Sequence, residues 1–504
     1  MVYFAPLLSH LSSWKGAFGG DADRLIMKKD DLALLTDFYE LTMAGGYFET
    51  GRADEIAYFD LFFRRVPDGG GFAIMAGLEQ AVEYLSDLHF SDEDIAYLRE
   101  KDVFSEAFLT YLKTFEFKCD VWAIAEGTPI FPGEPLLTVR GPLLQAQFIE
   151  TMLLLLINHQ SLIATKANRI VRAAQGRPVM EFGTRRAHGA TAAILGARAA
   201  YIGGCVGTAC TVAGRDLGIA ALGTMAHSWV QVFPSEYEAF KAYASLYPNN
   251  CTLLVDTYSV LKSGVPNAIK VFHEMKPARM GIRIDSGDVA YLTKKSREML
   301  DAAGLTDCKI VVSNSLDEWL IRDILSQGAF MDSLGVGERL ITAASDPFFG
   351  GVYKMAGVET NGVVTPKMKI SENVEKITNP GFKKVYRLYD KDSGRMIADV
   401  ITLASEDAPS GDDYMIFDPS YTWKRKKLKN FIAIDLQKQI FDKGRLVYDC
   451  PSLDDIRGHC LEQIETLWEE TRRFENPQPY YIDLSQELWE LRAGLIEKYK
   501  EAEM

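Results

Sequence analysis

The sequence predicts an α/β fold: repeated strand–helix units of a TIM-like barrel, with an α+β domain ahead of them and a small C-terminal domain behind. Three observations predict it. The first is a ruler, in which His227, Asp256, Asp285 and Asn314 follow one another at intervals of 29 residues. The second is what precedes those positions. Thr252-Leu-Leu-Val-Asp256, Met280-Gly-Ile-Arg-Ile-Asp285 and Lys309-Ile-Val-Val-Ser-Asn314 are apolar runs closed by a polar residue, and each leads into a helical stretch. That is the pattern of βα units on a parallel sheet. The run Leu217-Gly-Ile-Ala-Ala-Leu222 reads as the strand before Gly223-Thr-Met-Ala-His227-Ser-Trp229. The third is that this rhythm stops near residue 358 and does not resume. In barrels of such units the loops after the strands open on one face, where chemistry gathers. His227, Asp256, Asp285 and Asn314 are therefore expected on one rim.

Taken in order, residues 1–27 contain Gly16, Gly19 and Gly20 and little periodicity, and read as a weakly ordered extension, with order beginning near Asp30. Residues 28–141 form the N-terminal α+β domain. A helix begins near residues 34–43, where Thr36 or Asp37 can cap and Phe38, Leu41 and Met43 supply an apolar face. Residues 55–63 read as a strand, and Phe62-Phe-Arg64-Arg65 leads into a Pro-Gly turn. Residues 77–88 and 91–98 read as helices, and 120–139 as β-rich. The barrel spans residues 142–359. It opens with a long helix over 142–174, then the strand Val179-Met-Glu181-Phe182-Gly183, the turn Thr184-Arg185-Arg186 and a helix over 188–200. A helix over 235–246 follows His227, and the glycine-punctuated loop at Gly335 and Gly337 closes the pattern. Residues 360–504 form the C-terminal domain, with short strands, the basic run Lys424-Arg-Lys-Lys427 as a solvated face, and helices over 452–475 and 484–498.

The net charge of −14, from 55 Lys and Arg against 69 Asp and Glu, argues against a general nucleic-acid surface and leaves room for a local phosphate pocket. The seven cysteines are scattered without a CxxC pair. They read as reduced thiols of a cytoplasmic protein, not as a disulfide scaffold or zinc site. The longest strongly apolar run, 152–157, is too short to span a membrane. No secretory pattern opens the chain.

A histidine beside a tryptophan usually packs in a core. His227 differs because it ends an apolar run among Gly223, Ala226 and Ser228, whose small size lets the backbone approach a bulky anion. Asp285-Ser-Gly-Asp288 follows Arg283, and the bland reading makes Asp285 or Ser286 the N-cap of a helix starting at Val289. Two acids and an arginine exceed what a cap needs. They suit a polyhydroxylated or phosphorylated ligand, and carboxylates can hold Mg²⁺. Arg185 and Arg186 end a buried-looking strand and suit an anion, to which arginine presents a rigid fork. Gly335 and Gly337 form either a plain tight turn or a phosphate cradle of backbone N–H groups.

Seven motifs in order resemble the nicotinate phosphoribosyltransferase family: Leu35-Thr-Asp-Phe-Tyr39-Glu-Leu-Thr-Met43, Phe62-Phe-Arg-Arg65, Glu181-Phe-Gly-Thr-Arg-Arg186-Ala-His188, Gly223-Thr-Met-Ala-His227-Ser-Trp229, Asp256-Thr-Tyr-Ser259, Gly281-Ile-Arg-Ile-Asp-Ser-Gly-Asp288 and Gly350-Gly-Val-Tyr-Lys354. The resemblance covers roughly residues 30–500, and so many ordered motifs far exceed the specificity of any one. It implies an irregular α/β barrel and a homodimer whose active site the partner completes. It also implies that nicotinate and phosphoribosyl pyrophosphate yield nicotinate mononucleotide and pyrophosphate in NAD salvage, with Mg²⁺ and coupled ATP hydrolysis.

By the same resemblance His227, Asp285 and Arg283 are catalytic, and His227 is transiently phosphorylated. Phe182 and the partner subunit's Tyr39 sandwich the pyridine ring. Thr224 and Arg283 bind nicotinate, Arg185 lies near the phosphates and Asp285 near the ribose. Asp256, Gly335 and Gly337 complete the substrate-binding set, and residues ligating a metal are left open. Glu338 stands where many relatives carry a threonine that contacts the ribosyl phosphate. A carboxylate there repels phosphate, so the contact is made by backbone alone or Glu338 points away. The arginine-rich turn suits an acid better than neutral nicotinamide. An aldolase or isomerase would require a strand-end lysine or carboxylate base. A non-catalytic scaffold would be expected to lack His227 or Asp285.

Overall fold

The computed structural model describes residues 32–371, 376–411 and 413–502. The expected N-terminal extension, and the start of order near Asp30, lie outside these residues.

A parallel sheet carries the repeated units. Its strands run in the spatial order Gly207–Thr208, Val179–Glu181, Ser333–Val336, Lys309–Asn314, Met280–Ile284 and Cys251–Leu254. Leu253, Leu254, Ile282, Ile284, Ile310 and Val312 are fully buried. Near-continuous apolar runs are what a parallel sheet covered on both faces requires. Leu254 pairs with Arg283, and Ile284 with Val312, so the strands end almost level and bring Asp256, Asp285 and Asn314 to one edge. The helices Val265–Met275, Val289–Ala302 and Glu318–Ser326 follow these strands. Asp288 caps the second of them by accepting from the Tyr291 N–H at 2.8 Å. Neither Asp285 nor Ser286 is the cap, so neither is spent on the helix terminus.

The strand expected at residues 217–222 does not form. A helix, Thr211–Leu217, runs into it and ends at Gly218, whose φ of 71° closes the helix in a left-handed turn. The stretch meets the sheet at one point, a parallel bridge of Ala221 to Thr208 made by the Ala220 carbonyl and the Leu222 N–H. Among the described residues no ladder joins Ala221 to Cys251–Leu254. The parallel sheet is a half-barrel.

A second, antiparallel sheet has seven strands: Val363–Pro366, Gly351–Thr360, Ile56–Phe63, Leu137–Pro142, Asp120–Ile124, Gln437–Asp442 and Arg445–Leu446, in that spatial order. Early, middle and late stretches of the chain all contribute to it. The long helix Glu150–Ala173 packs against both Ala190–Ile202 and Gly351–Thr360 and links the two sheets. Residues 143–173 are long and apolar enough to cross a membrane by length and composition, yet 67% of their apolar window is buried inside the fold. The stretch is a core helix, and it carries buried cations to a buried partner. Lys166 Nζ lies 2.8 Å from Glu318, and Arg169 Nε 2.7 Å from the same carboxylate.

The third sheet, Phe431–Asp435, Lys383–Asp390, Met396–Leu403 and Ile482–Leu484, belongs to the C-terminal stretch. Its anchor is Arg387, which is fully buried, pairs with the equally buried Asp399 at 2.6 Å and donates to the Pro129 carbonyl at 2.8 Å. Residues 424–427 are exposed, as the sequence predicts.

Candidate active site

A cavity of about 410 Å³ opens at the C-terminal edge of the parallel sheet. Phe182, Arg185, Arg186, Arg283, Asp285, Gly335 and Gly337 line it, together with Ser313, Asn314, Ser315 and Glu338.

Local structure explains why these side chains converge. The Phe182 N–H donates to the Val336 carbonyl at 2.7 Å, which extends the strand pairing one residue beyond Glu181. Glu181 is fully buried; it accepts from the Thr208 hydroxyl at 2.6 Å and from the Gly183 N–H. Burial raises its carboxyl above the usual range, opposed by those two donors. The chain then makes one 3₁₀ turn, Thr184–Arg186, which presents both arginines at the surface. Gly335 lies inside the strand Ser333–Val336, not in a turn. A Cβ there would stand 2.6 Å from Phe182 Cε2, so glycine is what admits the ring. Gly335→Ala is expected to push Phe182 off the sheet and cost about 1–3 kcal/mol by overpacking. Urea unfolding followed by circular dichroism checks this, and a midpoint equal to the parent's would contradict it.

Arg283 is the most constrained of the cations. Its Nη1 donates to the Thr224 hydroxyl, its Nη2 lies 3.9 Å from Asp285, and its Nε is buried without a partner. Burial lowers its pKa, against the opposing charges of Asp285 and Asp256. The Asp285 carboxylate accepts from the Ser313 hydroxyl. Asp256 Oδ2 accepts from the Asp285 N–H at 3.1 Å and the Ser286 hydroxyl at 2.6 Å, while its Oδ1 is buried and unpartnered. His227 is half-buried and begins the helix His227–Val232. Its Nδ1 lies 3.1 Å from the hydroxyl of Thr257, the neighbour of Asp256. Trp229 does the packing work of this motif: its Nε1 donates to the Ala239 carbonyl at 3.1 Å, and its ring packs tilted against Phe233 and edge-on to Tyr243. That leaves the imidazole facing Thr257.

Tyr39 is not at this cavity within the chain. It sits half-exposed on the helix Phe38–Glu49, hydrogen-bonded to Glu150, and burial raises its phenol pKa. Beneath it Glu40 is fully buried and accepts from the Thr151 hydroxyl at 2.8 Å. Burial raises the Glu40 carboxyl to about 7.

Ser313 and Ser315 escaped the sequence reading. Their signal was the alternation around Asn314 at a strand end. Glu338 does not point away: it lines the cavity, where the Ser315 hydroxyl, with help from Arg186 and Arg339, holds its carboxyl below the usual range. Among the described residues no group of three or more His, Cys, Asp or Glu side chains could hold a metal ion. Asp285 and Glu338 are the carboxylates that line the cavity, so a Mg²⁺ ion here would take most of its ligands from phosphate and water.

Comparison with known proteins identifies the lineage. The N-terminal domain model of nicotinate phosphoribosyltransferase matches residues 34–158, and the C-terminal domain model residues 382–492. The nicotinate phosphoribosyltransferase of Bacillus subtilis (strain 168) is 44% identical over 475 residues, covering 94% of this chain and 97% of that protein. The Homo sapiens enzyme of the same name is 33% identical over 521 residues, covering 90% and 95%. The crystal structure of human nicotinic acid phosphoribosyltransferase superposes with a TM-score of 0.81 at 30% identity, over 91% of this chain and 99% of that one. A nicotinate-nucleotide pyrophosphorylase from Pyrococcus furiosus shares the fold, with a TM-score of 0.67 at 24% identity over 88% of this chain and 98% of that one. Identity at this level across nearly the whole chain, on the same architecture, makes this protein a member of the nicotinate phosphoribosyltransferase family.

Proposed function

We propose that this chain joins nicotinate to phosphoribosyl pyrophosphate, forming nicotinate mononucleotide and pyrophosphate for NAD salvage, and that ATP hydrolysis drives the reaction through a phosphate carried on His227. The observation that carries the reading is Arg283: a largely buried guanidinium whose Nη2 is 3.9 Å from Asp285, beyond hydrogen-bond distance, in the cavity that holds Phe182 and two further arginines. A pyridine carboxylate supplies what that fork lacks, with its ring against Phe182. Arg185 and Arg186 are then the anion contacts for phosphate.

The chemistry suits these groups. The C1–O bond of the ribose breaks with its electron pair leaving on pyrophosphate. The pyridine nitrogen lone pair forms the new C–N bond. That nitrogen carries no proton at neutral pH, so no general base is needed. Positioning two reactants can contribute roughly 7–11 kcal/mol. Asp285, held by Ser313, offsets positive charge developing on the sugar. Mg²⁺, when bound, neutralises charge on the leaving pyrophosphate.

In the coupled step an imidazole nitrogen of His227 attacks the γ-phosphorus of ATP; a P–N bond forms, the P–O bond breaks and ADP leaves. Water later cleaves the P–N bond. The added charge organises the pyrophosphate end of the site, and its loss releases products. The partner subunit's Tyr39 covers the pyridine ring in a homodimer, a role supported by its half-exposed position on this chain. The half-barrel belongs to an irregular α/β barrel. A cytoplasmic location is supported by seven cysteines that form no disulfide.

Intact-mass measurement after incubation with Mg-ATP tests the proposal. An acid-labile phosphate is expected, and it should disappear as nicotinate mononucleotide accumulates. His227→Ala is expected to lose that phosphate and all stimulation by ATP. Full ATP-stimulated turnover in this variant would sink the coupling. Neither phosphate nor mononucleotide from the parent would sink the assignment of activity.

A further inference from the structure

A cavity lined by three arginines has a selectivity problem. Arg185, Arg186 and Arg283 crowd one space of about 410 Å³. Guanidinium groups bind phosphate of any origin through bidentate, charge-assisted hydrogen bonds. Inorganic phosphate and simple sugar phosphates would therefore compete with a ligand that carries phosphate at both ends. Two of the three cations are also weakly tied within the chain. Among the described residues neither Arg185 nor Arg186 forms an ion pair within 4.0 Å, and both are exposed.

The same cavity contains a fixed opposing charge. Glu338 directly follows Gly337 on its wall. It does not swing freely: it is half-buried and accepts from the Ser315 hydroxyl. Ser315 is itself held, since its N–H donates to Asn314 Oδ1 at 2.7 Å. Arg186 acts on Glu338 through space, as does Arg339, which is committed to Asp317 at 2.7 Å. The second carboxylate of the cavity, Asp285, is already engaged by Ser313 and Arg283. Glu338 has the Ser315 hydroxyl but, among the described residues, no cation within 4.0 Å, so its charge is the less neutralised one and is what a phosphate entering beside Arg186 meets.

We propose that Glu338 is a specificity-determining residue: it offsets the charge of Arg186 across the cavity and so discriminates against simple phosphate anions. This rests on the reading of the cavity as the phosphoribosyl site. A lone phosphate must overcome the carboxylate with a single set of contacts. A ligand that also engages Arg283 and Phe182, or a second phosphate contact, gains enough elsewhere to tolerate it. Discrimination then comes from a repulsive element placed inside an attractive site, a common way to separate related ligands.

The test uses the full chain and two probes, inorganic phosphate and ribose 5-phosphate, titrated calorimetrically into the parent, Glu338→Gln and Glu338→Asp. Removing one like charge near a bound phosphate in a partly screened site is expected to tighten both probes by about tenfold in Glu338→Gln. Glu338→Asp, which keeps the charge, should bind them like the parent. The gap between parent and Glu338→Gln should shrink as salt is raised. Equal or weaker binding of both probes by Glu338→Gln would overturn the inference and leave Glu338 as a structural support of the Ser315 loop. Tightening by Glu338→Gln and Glu338→Asp alike would overturn it too, since shape and not charge would be responsible. The parental assay for nicotinate mononucleotide separates the two readings. Product formation with unchanged probe affinities defeats the role of Glu338 alone. Absence of product defeats the transferase reading, while the titrations still decide whether Glu338 repels phosphate.

Discussion

Arg283→Ala is expected to lower kcat/KM for nicotinate by about three orders of magnitude, the scale of losing one desolvated, charge-assisted contact of about 4 kcal/mol. The expectation follows from how the guanidinium is held. Thr224 takes Nη1, and Nη2 stands 3.9 Å from Asp285, beyond hydrogen-bond distance, which leaves it for a ligand in the cavity. Truncation removes the only one of the three cavity arginines that packing has already oriented. Arg283→Lys keeps the charge but not the fork, and should fall between the two. The preference for nicotinate over nicotinamide should collapse in the alanine variant, because the neutral amide never used the charge. Steady-state kinetics with both pyridines reads this directly. A parental KM for nicotinate in Arg283→Ala would remove Arg283 from the binding site. The fold is expected to survive, since Asp256 still holds the Asp285 backbone through a bond that does not involve the guanidinium.

The second large effect concerns stability. Arg387 and Asp399 are both fully buried and face each other at 2.6 Å. Burial alone would lower the pKa of Arg387, but Asp399 overrides it and the guanidinium stays charged. Glu134 lies beside them, and burial followed by repulsion from Asp399 pushes its carboxyl well above the usual range. Arg387→Ala leaves Asp399 buried without its counter-charge. Breaking one side of such a pair typically costs about 3–5 kcal/mol. The C-terminal sheet also loses its bond to the Pro129 carbonyl. The variant is expected to unfold at a clearly lower urea concentration, or to accumulate as insoluble protein. The double variant Arg387→Met, Asp399→Leu should recover part of the loss, because an apolar pair carries no desolvation penalty, while the Pro129 carbonyl and the Tyr480 hydroxyl still lose their partners. A parental midpoint for Arg387→Ala would show that water reaches the pair.

The parts of this fold that were legible in sequence are those governed by local periodicity. Three strands with polar C-terminal ends at one interval did become neighbours, and Asp256, Asp285 and Asn314 reached one edge through the register of Leu254 with Arg283 and Ile284 with Val312. The apolar run at 217–222 misled for a local reason: a helix entered from Thr211 and Gly218 ended it, so composition alone could not assign a strand. What remained illegible depends on who lies beside whom. Val179–Glu181 and Ser333–Val336 are distant in sequence and adjacent in the sheet. The contact that demands glycine at 335 exists only because of that adjacency. Ser313 and Ser315 gain meaning in the same way, once Asp285 and Glu338 stand on either side of them.

The antiparallel sheet has a consequence for synthesis. Ile56–Phe63 leaves the ribosome early and finds Leu137–Pro142 soon after, but its other neighbour begins at Gly351, the register partner of Phe63. At a translation rate of about 5–20 residues per second, that edge waits roughly a quarter of a minute to a minute for its partner. Gln437–Asp442, which covers the far side of Asp120–Ile124, comes later still. Through that interval a nascent chain exposes two unsatisfied rows of backbone donors and acceptors, the surface most prone to pair with a neighbouring polypeptide. Production of this protein should therefore be limited by the crowding of nascent chains before it is limited by the stability of the finished molecule.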